Sequence, residues 1–207
     1  MSSPNSVAAD GDPATFDTLI LGIGNVLWAD EGFGVRAVEA LHARFSFSED
    51  VRIMDGGTQG IFLLPWVRNA NRLLIFDAID FGLPPATLKL IRGDDVPRYM
   101  GAKKVSMHQA GFQEVLSSAE LSGDLPGEIA LIGVQPELLD DYGGSLRDSI
   151  KAQIEPAVDE ACRVLRGWGI DPEARAEPLS GEQLIGPGAL DMHDYESGRP
   201  IVGGDMS

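Results

Sequence analysis

The sequence predicts an α/β fold, a three-layer sandwich in which a mostly parallel sheet lies between two layers of helices. Two observations carry that expectation. Short apolar, β-branched runs alternate along the chain with stretches whose apolar residues recur every three or four positions. The run from Arg72 to Phe76 is also continuously apolar after its first residue, the pattern of a strand covered on both faces. In such folds functional groups gather at the carboxyl ends of the strands.

Each element has its own justification. Residues 1–16 are rich in Ser, Pro, Asp and Gly and are expected to be a flexible lead-in to one domain over residues 17–169. A first strand, Thr18 to Ile23, runs into a glycine turn and two acids, Asp30 and Glu31. A helix over about 32–45 follows, with Val35, Val38, Leu41 and Phe45 on one stripe. Val51 to Met54 reads as a second strand, closing on Asp55-Gly56-Gly57-Thr58, from which a short helix through Ile61, Leu64 and Val67 can start. The third strand, Arg72 to Phe76, ends on Asp77. Thr87 to Ile91 comes so soon afterwards, past Pro84-Pro85, that it is expected to be antiparallel and at an edge.

Residues 92–105 read as a loop, basic at Arg98, Lys103 and Lys104. Ser106-Met107-His108 then enters a helix bearing Phe112, Val115, Leu116 and Ala119. Ile129 to Val134 is the fifth strand, with Gln135-Pro136-Glu137 at its carboxyl end. A long helix over about 146–168 should kink or split at Pro156. The acidic remainder, residues 170–207, is expected to be a flexible tail.

Bulk properties exclude several functions. With 16 basic against 32 acidic residues the net charge is −16, which argues against nucleic acid or an anionic membrane as the main partner. The single cysteine, Cys162, has no internal disulfide partner and sits in a helical pattern as an apolar filler. The first residues lack the basic start and apolar core of a signal peptide, and no apolar run is long enough to span a bilayer, so cytoplasmic residence is expected.

Two chemistries compete at the predicted carboxyl edge. Gly22-Ile23-Gly24 after a strand, with Asp55 ending the next one, suggests dinucleotide binding. Against it, the third glycine of that fingerprint falls on Leu27, and Asp30 and Glu31 occupy the helix entrance that should receive a pyrophosphate. The glycines are then better explained by a tight turn that allows close backbone approach.

The other chemistry is a metal site. Glu31, Asp77 and His108 all project toward one rim, and two carboxylates with one imidazole suit a divalent ion such as zinc or nickel while leaving positions open for water or substrate. An alternative with no metal remains, because acids at helix starts are favoured by the helix dipole. No Gly-x-Ser-x-Gly elbow is present, and neither His42 nor His193 falls where a nucleophile would need it. Asp80 is a second choice to Asp77 as ligand, and Asp30 is assigned to a helix cap.

Taken together, Gly22-Ile23-Gly24-Asn25, Asp30-Glu31-Gly32-Phe33-Gly34, Asp55-Gly56-Gly57-Thr58, Asp77-Ala78-Ile79-Asp80, His108-Gln109 and Gly133-Val134-Gln135-Pro136 closely resemble the hydrogenase maturation endopeptidases. The resemblance runs from about Leu19 to Trp168. It implies a twisted five-stranded sheet between helices. It also implies an enzyme that removes a C-terminal extension from the large-subunit precursor of a nickel-iron hydrogenase once nickel is inserted. Its metal-contacting residues correspond to Glu31, Asp77 and His108, the set also expected to be catalytic, while Asp55, Gly56, Gly57 and Thr58 correspond to substrate contacts. The implied metal is nickel presented by the substrate, with zinc or cadmium able to occupy the same site in vitro. Other maturation proteins are possible partners. A nickel-checkpoint chaperone that binds the immature subunit without cutting it is the alternative of a different class.

Overall fold

The computed structural model describes residues 16–102, 107–139, 141–180 and 183–185. Strands β1 (Thr18–Ile23), β3 (Val51–Gly57), β4 (Arg72–Ala78), β5 (Leu88–Arg92) and β6 (Glu128–Val134) form one sheet in the order β3-β1-β4-β6-β5. The first four run parallel and β5 closes the edge antiparallel to β6. The predicted fold class and edge strand are therefore both observed.

Strand alternation builds two cores. Ile20, Leu74, Phe76, Ala130 and Ile132 face one way, under helices α1 (Phe33–Arg44) and α6 (Ile154–Gly167). Leu19, Leu21, Leu73, Ile75, Ile129 and Leu131 face the other way, toward α2 (Leu64–Asn69), α3 (Asp95–Ala102) and α4 (Met107–Ser122) through Val67, Val96, Phe112 and Val115. Each fully buried aliphatic or phenyl side chain contributes roughly 1.5–3 kcal/mol, so β1 and β4, buried along nearly their whole length, anchor the domain. Helix α1 lies directly on β1 and β4. A Cβ on Gly34 would collide with the carbonyl oxygens of Ile23 and Phe76, and one on Gly22 with the carbonyl of Gly34. The close approach expected of the glycine turn is made to the protein's own helix.

Several local expectations change. The segment read as a loop contains α3, whose Pro97 stands in the first turn, where its missing N–H costs nothing. The long C-terminal helix is split, as expected, into α5 (Asp148–Lys151) and α6, with the break at residues 152–153 and Pro156 in the first turn of α6. Ile61, expected in the apolar stripe of a short helix, lies instead in a 3-10 turn, Gly60–Leu63, and is 48% exposed. Past the expected domain boundary the chain stays attached over the described residues. β7 (Glu173–Ala174) pairs with β2 (Phe45–Ser46), and the amides of Arg175 and Leu179 donate to the carbonyls of Arg44 and Ala43. Cys162 is buried, and burial pushes its thiol up, as suits an inert filler. His193, Lys103 and Lys104 lie outside the described residues.

Candidate active site

The strand ends deliver the acids. Asp77 stands in register with Gly133 of β6, which in turn pairs with Lys89 of β5. It continues the alternation of Leu73 and Ile75, and so belongs to the face that α4 covers. Its side chain is only 2% exposed, and Oδ2 has no hydrogen-bond partner among the described residues. Burial pushes the Asp77 carboxyl well above the usual range; the Ala78 amide opposes that shift, and the charge of Glu31 adds to it.

Glu31 reaches the same place by a different route. The chain leaves β1 at Ile23, turns at Gly24 (φ 134°), and coils through a 3-10 turn, Ala29–Gly32, before entering α1. Hydrogen bonds from Asn25 N to Glu31 O (3.2 Å), from Glu31 N to Trp28 O (2.9 Å) and from Leu27 N to Asn25 Oδ1 (3.0 Å) set this turn. Glu31 is 9% exposed and close enough to raise the proton affinity of Asp77.

Asp30 is not a helix cap. Fully buried, it accepts hydrogen bonds from three distant backbone amides: Glu137 and Leu138 at Oδ2 and Arg147 at Oδ1, each at 2.8 Å. The amides of Ala29 and Asp30 add bonds to the carbonyls of Gly144 and Leu138. Two consecutive acids thus have different duties, Asp30 tying the β1 connection to the β6 connection and Glu31 lining the edge.

The backbone of His108 stands in the first turn of α4, on the face of the sheet that includes Asp77. Its side chain lies outside the described residues. Among those residues no three His, Cys, Asp or Glu side chains converge as a metal-binding group.

Asp55 sits in β3 in register with Gly22 and, through it, Phe76, on the α1 face and not the face of Asp77. Burial raises its carboxyl, while the Gly57 amide and the charge of Arg36 pull it down. Its carbonyl accepts from Gln59 Nε2 at 2.9 Å, which fastens the Gly56-Gly57-Thr58 turn. Gly57 needs its left-handed φ of 42° there, next to a register shift opposite Gly22 and Ile23. Asp80 is engaged elsewhere: its Oδ1 accepts from Gly82 N (2.8 Å) and Gln135 Nε2 (3.0 Å), which gives it a loop-holding role.

Sequence reasoning did not single out Arg36, and it named Gln135 at the end of the fifth strand without giving it a role. Arg36, 5% exposed on α1, pairs with Glu39 at 2.9 Å and acts electrostatically on Asp55. Gln135 organises the connection after β4, its Oε1 accepting from Phe81 N (2.7 Å) and Leu83 N (3.1 Å). Arg36 carried a weak signal as a cation three residues before Glu39 on α1. His42 lies on the same helix away from the edge, its imidazole driven toward neutrality by burial and then by Arg175. Phosphate has no cradle at Gly24, because the Glu31 carbonyl fills that space.

A buried pair of carboxylates at the carboxyl edge of a parallel sheet lies where open α/β folds bring their ligands, and so marks the candidate active site of an α/β enzyme. The profile of the hydrogenase maturation protease family (HycI) matches residues 35–164. The hydrogenase expression/formation protein HoxM of Azotobacter vinelandii is 54% identical over 182 residues, 88% of this chain and 86% of that protein. The Hydrogenase 2 maturation protease of Escherichia coli is 40% identical over 154 residues, 74% of this chain and 93% of that protein. Among solved structures, the hydrogenase maturating endopeptidase HybD from E. coli superposes with a TM-score of 0.73 at 38% identity, covering 78% of this chain and 99% of that one. The chain belongs to the hydrogenase maturation protease family and is a hydrolase. No helix among the described residues is long and apolar enough to cross a membrane.

Proposed function

We propose that this protein is the endopeptidase that removes the C-terminal extension of a nickel-iron hydrogenase large-subunit precursor after nickel insertion, with the substrate-held nickel contacted by Glu31, Asp77 and His108. One observation supports this reading above the others: the Asp77 carboxylate is buried at the sheet edge beside Glu31 with an oxygen that has no hydrogen-bond partner among the described residues. A buried carboxylate left in that state is costly unless a cation or a proton completes it.

The precursor brings the cation and the scissile bond together. Water adds to the carbonyl carbon, the C–N bond breaks, and the amine departs with a proton. Asp77, buried beside Glu31, is placed to meet the metal that the precursor brings, and the proton released by the water passes to the leaving nitrogen. Glu31 supplies the second negative charge facing the metal. Asp55, Gly56, Gly57 and Thr58 position the substrate chain.

The test is incubation of purified nickel-loaded precursor with the protein, read as a mass shift. Shortening is expected, and Glu31→Gln and His108→Ala should each abolish it while leaving the fold intact. A protein that binds the precursor but never shortens it is the checkpoint chaperone instead.

A further inference from the structure

The described residues include seven large hydrophobic side chains exposed to solvent, and their distribution is uneven. Ile61 and Phe62 follow β3, Leu83 follows β4, and Leu138 and Tyr142 follow β6, all in connections that leave the carboxyl ends of parallel strands. Tyr99 packs its ring edge-on against Phe81 of the β4 connection, with centroids 6.0 Å apart. Only Leu121 lies at the other end of the sheet. The apolar surface is thus concentrated around the edge that holds Glu31 and Asp77, in a chain whose net charge is −16.

Phe62 is the most exposed member of this rim, at 78%, and it is rigidly mounted. Leu63 beside it is fully buried, and Gln59 is tied to the Asp55 carbonyl. Gly60 and Gly111 of α4 are near enough that a Cβ on either would touch the other's backbone, at 3.7 and 3.4 Å, which locks the 3-10 turn onto the helix. A backbone held this way loses little freedom on binding.

We infer that this apolar rim is the docking face for the body of the protein substrate, and that Phe62 is its anchor, entering an apolar pocket on the precursor and setting which precursor is accepted. The occupant follows from continuity with the site. Asp77 and Glu31, 2% and 9% exposed, lie at the edge that this rim surrounds, so a precursor presenting its scissile segment there brings its folded body against the rim. Net negative charge makes apolar contact the available source of affinity toward an acidic or neutral partner. This inference rests on the peptidase reading for the identity of the partner.

The test uses full-length protein and nickel-loaded precursor. Phe62→Asp should raise KM, and the Kd measured with inactive Glu31→Gln protein, by about 30-fold, with kcat within about threefold of wild type and an unchanged Tm. Leu121→Asp, still more exposed but distant, should leave all of these values unchanged. A photo-crosslinking residue at position 62 should join to the precursor. An unchanged KM in Phe62→Asp, an equal effect of Leu121→Asp, or crosslinking only to a second copy or to residues 186–207 of the same chain overturns the docking face. Weakened binding by Phe62→Asp in a protein that never cleaves precursor upholds the docking face and removes the peptidase reading instead.

Discussion

Gly24 and Glu31 meet backbone to backbone across the turn that follows β1: a Cβ on Gly24 would run into the Glu31 carbonyl oxygen, which accepts the Asn25 amide at 3.2 Å. Gly24 also holds φ at 134°, where L side chains are strained. The glycine therefore serves the placement of the acid seven residues later. Gly24→Ala should destabilise the protein by on the order of 3 kcal/mol, combining backbone strain with overpacking. Chemical denaturation measures this; a loss below about 1 kcal/mol would show that the turn relaxes freely.

The buried state of Asp77 makes a pH prediction for the free enzyme. Its folded-state proton affinity exceeds the unfolded one, so the native state holds the proton as pH rises from the ordinary carboxyl value of 3.8. Stability attributable to Asp77 therefore falls with rising pH from that value up through the folded-state titration. Asp77→Asn removes the penalty. The variant should melt higher than wild type at neutral pH, with the difference shrinking toward pH 4, and should lose at least about 100-fold in cleavage. A Tm difference that does not depend on pH would mean Asp77 is not held above its ordinary range.

Asp30 and Glu31 can be separated experimentally. Asp30→Ala leaves the amides of Glu137, Leu138 and Arg147 without their acceptor, and a loss on the order of 3 kcal/mol is expected. Glu31→Gln should leave stability within about 1 kcal/mol of wild type while abolishing cleavage. Equal stability losses in the two variants would refute this division of labour.

Which features the sequence reveals follows from the range of the interactions. The five sheet strands and both helical layers are legible because buried strands and one-sided helices repeat apolar residues at fixed periods. Glu31 and Asp77 are legible because a parallel sheet collects its strand ends at one edge. Asp30 reads locally as a cap, since its partners lie 107 to 117 residues away. The α3 segment hides its helix behind Gly93, Pro97 and the charges of Asp94, Asp95 and Arg98, with Val96 alone fully buried in its first turn. The β2–β7 pairing is backbone contact between two-residue strands, which leaves no side-chain pattern to read. A rim side chain such as Ile61 reads as a core residue in sequence, because its spacing to Leu64 matches a helical stripe that the 3-10 turn does not form.

Gln135 offers the last separation, between the edge and the loop beside it. Its carboxamide is 7% exposed and accepts from the amides of Phe81 and Leu83 while donating to Asp80, which in turn accepts from Gly82. The loop 79–87 is thereby pinned over the end of β4, where Ile79 N already bonds Val134 O. Gln135→Leu keeps the side-chain volume but strips two amides of their acceptor, so stability should fall by about 2 kcal/mol. Amide exchange at Phe81 and Leu83 should speed up by at least about tenfold, while the core strand amides of Leu74 and Ile75 slow or hasten only with global stability. Because Leu83 belongs to the apolar rim, KM for precursor should rise more than kcat falls. Retained protection at Phe81 and Leu83 would show that the loop is held by packing alone, with Phe81 seated against Gly133.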